Sequence, residues 1–125
     1  MTNAARPRFG RDRRLLAKRD FERVFQAGRR AFVRGLVVYV DDSPAGRARL
    51  GLVTSRRFGN AVHRNRARRL LREAFRLCQH QLAPLDVVAV PQHGSFPDHL
   101  AEVGRALLDA IARVRPDRRR PRNPS

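Results

Sequence analysis

Hydrophobic and polar positions recur along this chain in blocks whose period changes, and each change marks an element. In Lys18 to Ala27 (KRDFERVFQA), Phe21, Val24 and Phe25 fall at i, i+3 and i+4, which predicts a helix of about ten residues. Gly28 follows where a left-handed residue would close it. Arg30 to Val33 reads as a brief strand, and the β-branched run Leu36-Val37-Val38-Tyr39-Val40 as a longer one. Asp41 to Gly46 carries turn chemistry, so Arg49 to Ser55 is expected to return as a strand pairing antiparallel with the one before it. Leu85 to Val90 (LDVVAV) is apolar enough to be a strand buried on both faces. Ser95 with Asp98 resembles a capping box, Pro97 is tolerated in a first turn, and Leu100, Val103, Leu107, Ile111 and Val114 then recur at helical spacing to about Arg115-Pro116.

The most informative block runs from Gly59 to Arg76 and reads GNAVHRNRARRLLREAFR. Wound at about 100° per residue, it places Ala67, Leu70, Leu71, Ala74 and Cys78 on one side and Asn65, Arg68, Arg69, Arg72 and Arg76 on the other. Asn60 suits the N-cap, and Pro84 cannot continue a helix that reaches about Gln79. Six arginines lie between Arg64 and Arg76 against the single Glu73. Their repulsion would oppose the helix unless a polyanion neutralised it, whereas an ordinary solvated face mixes signs at i,i+4 spacing. The guanidinium fork suits phosphate and base edges, so nucleic acid is the expected partner.

Helix, two or three strands, helix, strand, helix is an order that suits one sheet with helices packed on it, an α+β class. The 125 residues amount to a single domain. Its expected limits are 14–115, with a basic arm at 1–13 and a polar, proline-punctuated tail at 116–125.

Charge strengthens the polyanion reading, because 28 Lys and Arg stand against 11 Asp and Glu for a net +17. No apolar run approaches the ~20 residues of a spanning helix and no secretory h-region opens the chain, so a cytoplasmic protein without membrane contact is expected. Cys78 is the only cysteine and reads as a small buried hydrophobe. His63, His80, His93 and His99 lack metal-finger spacing, and the acidic residues are scattered apart from Asp41-Asp42, so neither a metal site nor a catalytic residue is expected. A ribosomal or ribosome-assembly protein would share the charge and the arginine helix. A DNA-binding regulator fits less well, because no helix joined by a three- or four-residue turn precedes the arginine helix and no zipper follows it.

The run Ala61-Val62-His63-Arg64-Asn65-Arg66-Ala67-Arg68-Arg69-Leu70-Leu71-Arg72 resembles the Arg-Asn-Arg signature helix of the bacterial ribonuclease P protein subunit. Asp20-Phe21, Val24-Phe25 and Gly28 resemble that family's first helix, Gly51-Leu52-Val53 with Ser55 its strand, and Arg56-Arg57 with Gly59-Asn60-Ala61 the approach to the signature. The likeness spans roughly Leu15 to Val114, with one departure at Ala67, where the family usually carries a larger aliphatic residue. It implies a compact αβββαβα fold with a left-handed βαβ crossover through the arginine helix, although the general rule makes such crossovers right-handed in about 98% of cases. It implies a partner, a catalytic RNA whose Mg²⁺ ions perform the hydrolysis that removes the 5′ leader of precursor tRNA. The protein would bind no cofactor itself and need no obligate protein partner. Arg56, Arg57, Arg64, Asn65, Arg66, Arg68, Arg69, Arg72 and Arg76 become the expected contacts to that RNA. Phe21, Phe25 and Tyr39 become the expected stacking platform for leader bases.

Overall fold

The computed structural model describes residues 17–114, so the expected arm at 1–13 and tail at 116–125 lie outside the described residues. The elements are α1 (Lys18–Ala27), β1 (Arg30–Val33), β2 (Leu36–Asp42), β3 (Arg49–Leu52), α2 (Ala61–Cys78), β4 (Leu85–Pro91) and α3 (Leu100–Val114). Short 3₁₀ turns at Arg56–Phe58 and Gln79–Gln81 precede and follow α2. This is the αβββαβα order, in one mixed four-stranded sheet ordered β1-β2-β4-β3.

The expected antiparallel pairing of the second and third strands does not form. β4 lies between them, antiparallel to β2 and parallel to β3. The physical reason is burial: Leu85 to Ala89 are all buried, and only a central position gives a strand apolar on both faces neighbours on either side. Residues 43–48 readily bridge the two strand spacings, about 10 Å, that this order requires. β3 also ends at Leu52 rather than Ser55, with Val53 N–H donating a last bond to the Ala89 carbonyl at 3.1 Å.

Alternation along the strands gives the two faces different coverings. One face presents Leu36, Val38, Val40, Leu50, Leu85, Val87 and Ala89 to Leu71, Ala74 and Phe75 of α2 and to Val103, Ala106, Leu107, Ala110 and Ile111 of α3. On the opposite face Val88 packs against Val24 of α1, with Phe21, Tyr39, Val53 and Val90 around them. Ala67, the one departure from the resemblance, is buried. Cys78 is buried as expected, and burial pushes its thiol pKa up to about 11.

Two local signals act as read. Gly28 closes α1 at φ 73° with its N–H on the Phe25 carbonyl at 3.1 Å, and Asn60 Oδ1 caps α2 by accepting from His63 N–H at 3.0 Å. The Ser95–Asp98 capping box does not form, because Asp98 is engaged by Arg66 and α3 starts later, at Leu100.

The turn between β1 and β2 has Arg34 at φ 50° and Gly35 at φ 78°, the two positive angles a two-residue hairpin requires. Gly35 also touches the segment before α3. Its carbonyl accepts from Gln92 N–H at 2.8 Å, and a Cβ built on it would sit 2.2 Å from the Ser95 carbonyl oxygen. Gly35→Ala should therefore destabilise the fold by about 2 to 3 kcal/mol, since both the angle and the backbone contact oppose a side chain. A thermal midpoint unchanged from the parent would show that the hairpin and the 92–99 segment part easily.

Candidate nucleic-acid interface

α2 turns Ala67, Leu71, Ala74, Phe75 and Cys78 inward, Leu71, Ala74 and Phe75 joining the core shared by the sheet and α3, so charge is carried on its outer side. Asn65, Arg69, Arg72, Glu73 and Arg76 line a shallow depression of about 420 Å³ on that outer side. Glu73 lies within the stripe and accepts from Arg76 Nε at 3.0 Å. The Arg76 hydrogen bond holds the Glu73 carboxyl below its ordinary pKa. The Arg69 guanidinium has no hydrogen-bonding or ionic partner among the described residues. Arg56 and Arg57 sit exposed on the 3₁₀ turn leading into the helix.

The structure does not hold every arginine in one array. Arg64 Nη1 turns back to the Gly59 carbonyl at 2.8 Å. Arg68 is half-buried and donates to Thr54 Oγ1 at 3.2 Å. Arg66 lies toward the other flank, where Nε donates to Asp98 Oδ1 at 2.6 Å and Nη2 to the Asp98 carbonyl at 3.1 Å. That pair keeps the Asp98 carboxyl below its ordinary pKa. The expectation of arginines without acidic partners is thus corrected for Arg66 and Arg76, which tether α3's approach and Glu73 respectively.

Phe21, Phe25 and Tyr39 do come together, in a trough between α1 and the sheet. The Phe25 and Tyr39 rings meet edge to face, with centroids 4.7 Å apart and planes at 84°. Phe21 and Tyr39 are half-buried against the Val24–Val88 contact, while Phe25 stays exposed. Thr54, which receives Arg68, follows Val53 of the trough wall, so the trough and α2 approach each other at the β3–α2 connection.

At one end the trough is locked by charges that sequence reading treated as scattered. Asp86 of β4 is fully buried and stands beside Asp41 of β2 and Arg49 of β3 in the sheet register. It accepts from Arg49 Nε at 2.8 Å and Nη2 at 2.7 Å, and is ion-paired with Arg23 of α1. Arg23 also donates to Asp41 at 2.9 Å, and Asp20 lies 3.4 Å from both guanidinium groups. The hydrogen bond to Asp86 holds Arg49 above its ordinary pKa. Partial burial works against the charge of Arg23, yet its bonds to Asp86 and Asp41 keep it raised as well. The signal available in sequence was Asp86 itself, a lone carboxylate in an apolar strand that must find a cation if buried.

These carboxylates converge on guanidinium groups, and no group of three or more His, Cys, Asp or Glu among the described residues is placed to hold a metal ion. No described helix is long and apolar enough to cross a membrane. What fold and surfaces define is a small, strongly basic α+β domain with an arginine-lined helix on one face of its sheet and an aromatic trough on the other. The ribonuclease P family model matches residues 9–115, and the chain belongs to that family of protein subunits of a tRNA-processing ribonucleoprotein endonuclease. It is 40% identical over 106 residues to the ribonuclease P protein component of Saccharophagus degradans, covering 82% of this chain and 77% of that one. Against the component from an Exiguobacterium species it is 35% identical over 102 residues, covering 82% and 90%. The solved RNase P protein of Staphylococcus aureus superimposes with a TM-score of 0.69 at 27% identity, covering 82% of this chain and 96% of that one. The Thermotoga maritima RNase P protein gives 0.66 at 29%, covering 77% and 92%.

Proposed function

We propose that this chain binds the catalytic RNA of ribonuclease P through the outer side of α2 and holds the 5′ leader of precursor tRNA in the trough under α1. The observation that carries the reading is the placement of the two surfaces. Arg69 and Arg72 flank a depression on the helix covering one sheet face, and the exposed Phe25 ring meets the half-buried Tyr39 ring on the other. One small domain can then touch two RNA segments at once. Phosphates neutralise the stripe, and Asn65, both donor and acceptor, can address a base edge or ribose hydroxyl that arginine cannot. Arg56 and Arg57 extend the charge toward the helix start. In this reading the protein supplies binding and orientation, and the hydrolytic step with its Mg²⁺ ions belongs to the RNA. The cell compartment is then the cytoplasm, where precursor tRNA is made in bacteria.

The test is reconstitution: purified protein added to a bacterial ribonuclease P RNA should restore precursor-tRNA cleavage at low salt. Failure to do so, with intact binding to ribosomal RNA, would favour a ribosome-assembly role. Within the holoenzyme, Tyr39→Leu should keep its affinity for the catalytic RNA and lose roughly tenfold of its preference for precursor over mature tRNA, the scale of one stacked base. Leucine keeps apolar bulk in the trough while removing the ring that meets Phe25. Full preference in a folded Tyr39→Leu holoenzyme would move the leader elsewhere.

A further inference from the structure

The trough does not end at Tyr39. Cross-strand neighbours share a face, and the register sets Arg30 of β1 opposite Tyr39, and Phe32 opposite Val37. Val37 in turn faces Val90 of β4, itself part of the trough wall. A second row, Phe32-Val37-Val90, therefore runs beside the row that contains Tyr39, displaced along the strands by two residues, about 6.7 Å. That displacement is of the order of one nucleotide step in a stretched single strand.

Phe32 is 60% exposed, although its neighbours Ala31 and Val33 turn to the main core. A solitary exposed phenyl ring would mean little. This one continues the face that carries Tyr39, and β1 is one edge of the sheet. The chain around it, from Gly28 to Val40, contains Arg29, Arg30 and Arg34 and no acidic residue. All three arginines are exposed, and their guanidinium groups have no hydrogen-bonding or ionic partner among the described residues. An open ring flanked by uncompensated guanidinium groups is the arrangement that receives a base on its π-face and the adjoining phosphates on its rim.

We infer that Phe32, with Arg30 and Arg34, forms a second stacking station that receives one further nucleotide of the single-stranded leader beyond the one at Tyr39. The inference rests on the leader occupying the trough, and it adds a length dependence: leaders that reach β1 are held more tightly than leaders that stop at Tyr39.

The experiment uses holoenzyme reconstituted with a bacterial ribonuclease P RNA, a series of precursor tRNAs with leaders lengthened one nucleotide at a time, and mature tRNA. Phe32→Ala should unfold at the parent's temperature. It should lose about five- to tenfold in affinity for long-leader precursors, with no loss for short leaders or mature tRNA. Phe32→Trp should restore the long-leader affinity. Tyr39→Leu, run in parallel, should show its loss at shorter leaders. If Phe32→Ala binds every substrate like the parent while Tyr39→Leu keeps its leader-dependent loss, the second station is wrong and the trough stands. Leader-independent binding in both variants would overturn the trough reading itself. An equal loss for mature tRNA in Phe32→Ala would assign the ring to a different RNA segment and overturn the inference.

Discussion

Asp86→Ala should lower stability by about 3 kcal/mol and shift the thermal midpoint by roughly 15 °C, a larger loss than any surface substitution in this chain. Asp86 is fully buried and binds Arg49 through both carboxylate oxygens, while Arg23 reaches it from α1. Removing the carboxylate takes from two guanidinium groups their buried counter-charge, and breaking a buried pair in this way commonly costs about 3 to 5 kcal/mol. The lower end applies because Asp41 stays 2.9 Å from Arg23, and Asp20 3.4 Å from each arginine. The functional consequence follows from position. Arg23 belongs to α1, so the loosened element is the one carrying Phe21 and Phe25, whereas α2 packs on the opposite face. Below its melting temperature the variant should keep its catalytic-RNA affinity and lose discrimination in favour of leader-bearing substrate. Calorimetry with paired binding assays checks both parts. A midpoint within a few degrees of the parent would mean that α1 is held by Val24 and Val88 alone.

Removing two arginines from the outer stripe should leave the fold intact and change RNA affinity strongly. In Arg69→Ala/Arg72→Ala, each lost phosphate contact flattens the dependence of log affinity on log salt by about 0.9, nearly two together. Extrapolated from 1 M down to about 0.1 M salt, that slope change corresponds to roughly 50-fold weaker binding of the catalytic RNA at the lower salt, vanishing toward the higher. The helix should not suffer, because alanine is the best helix former and like-charge repulsion falls. Arg69 is a cleaner position than Arg68, whose bond to Thr54 would add a packing change, or Arg66, whose loss would release Asp98, and Arg72 lines the same depression as Arg69. Titrations across salt decide the matter: an unchanged slope would remove this side of α2 from the RNA interface.

Local order was legible in the sequence because its causes act over a few residues. The limits of α1 follow from Phe21, Val24 and Phe25 with Gly28 behind them, and the start of α2 from the Asn60 side chain reaching His63 N–H. The arginine stripe needed only helical spacing, and the aromatic trough needed the added likeness to a known family. Strand order was different. β2 and β3 are adjacent in sequence and joined by turn chemistry, yet β4 separates them, because a strand apolar on both faces competes for the centre of the sheet. The charged lock was also out of reach. Asp86 acquires its meaning from Arg49, 37 positions away, and Arg23, 63 away, and no local pattern links them. Arg66 likewise belongs by spacing to a basic helix, but it meets Asp98 once α3 packs against α2, and the same contact takes Asp98 out of its expected cap. Phe32 reads as one residue of a short strand until register places it beside Val37 and the trough. Period, caps and charge density are properties of neighbours along the chain. Which strand takes the centre, which carboxylate an arginine finds and which ring stays open are decided by competition for burial among segments far apart in sequence.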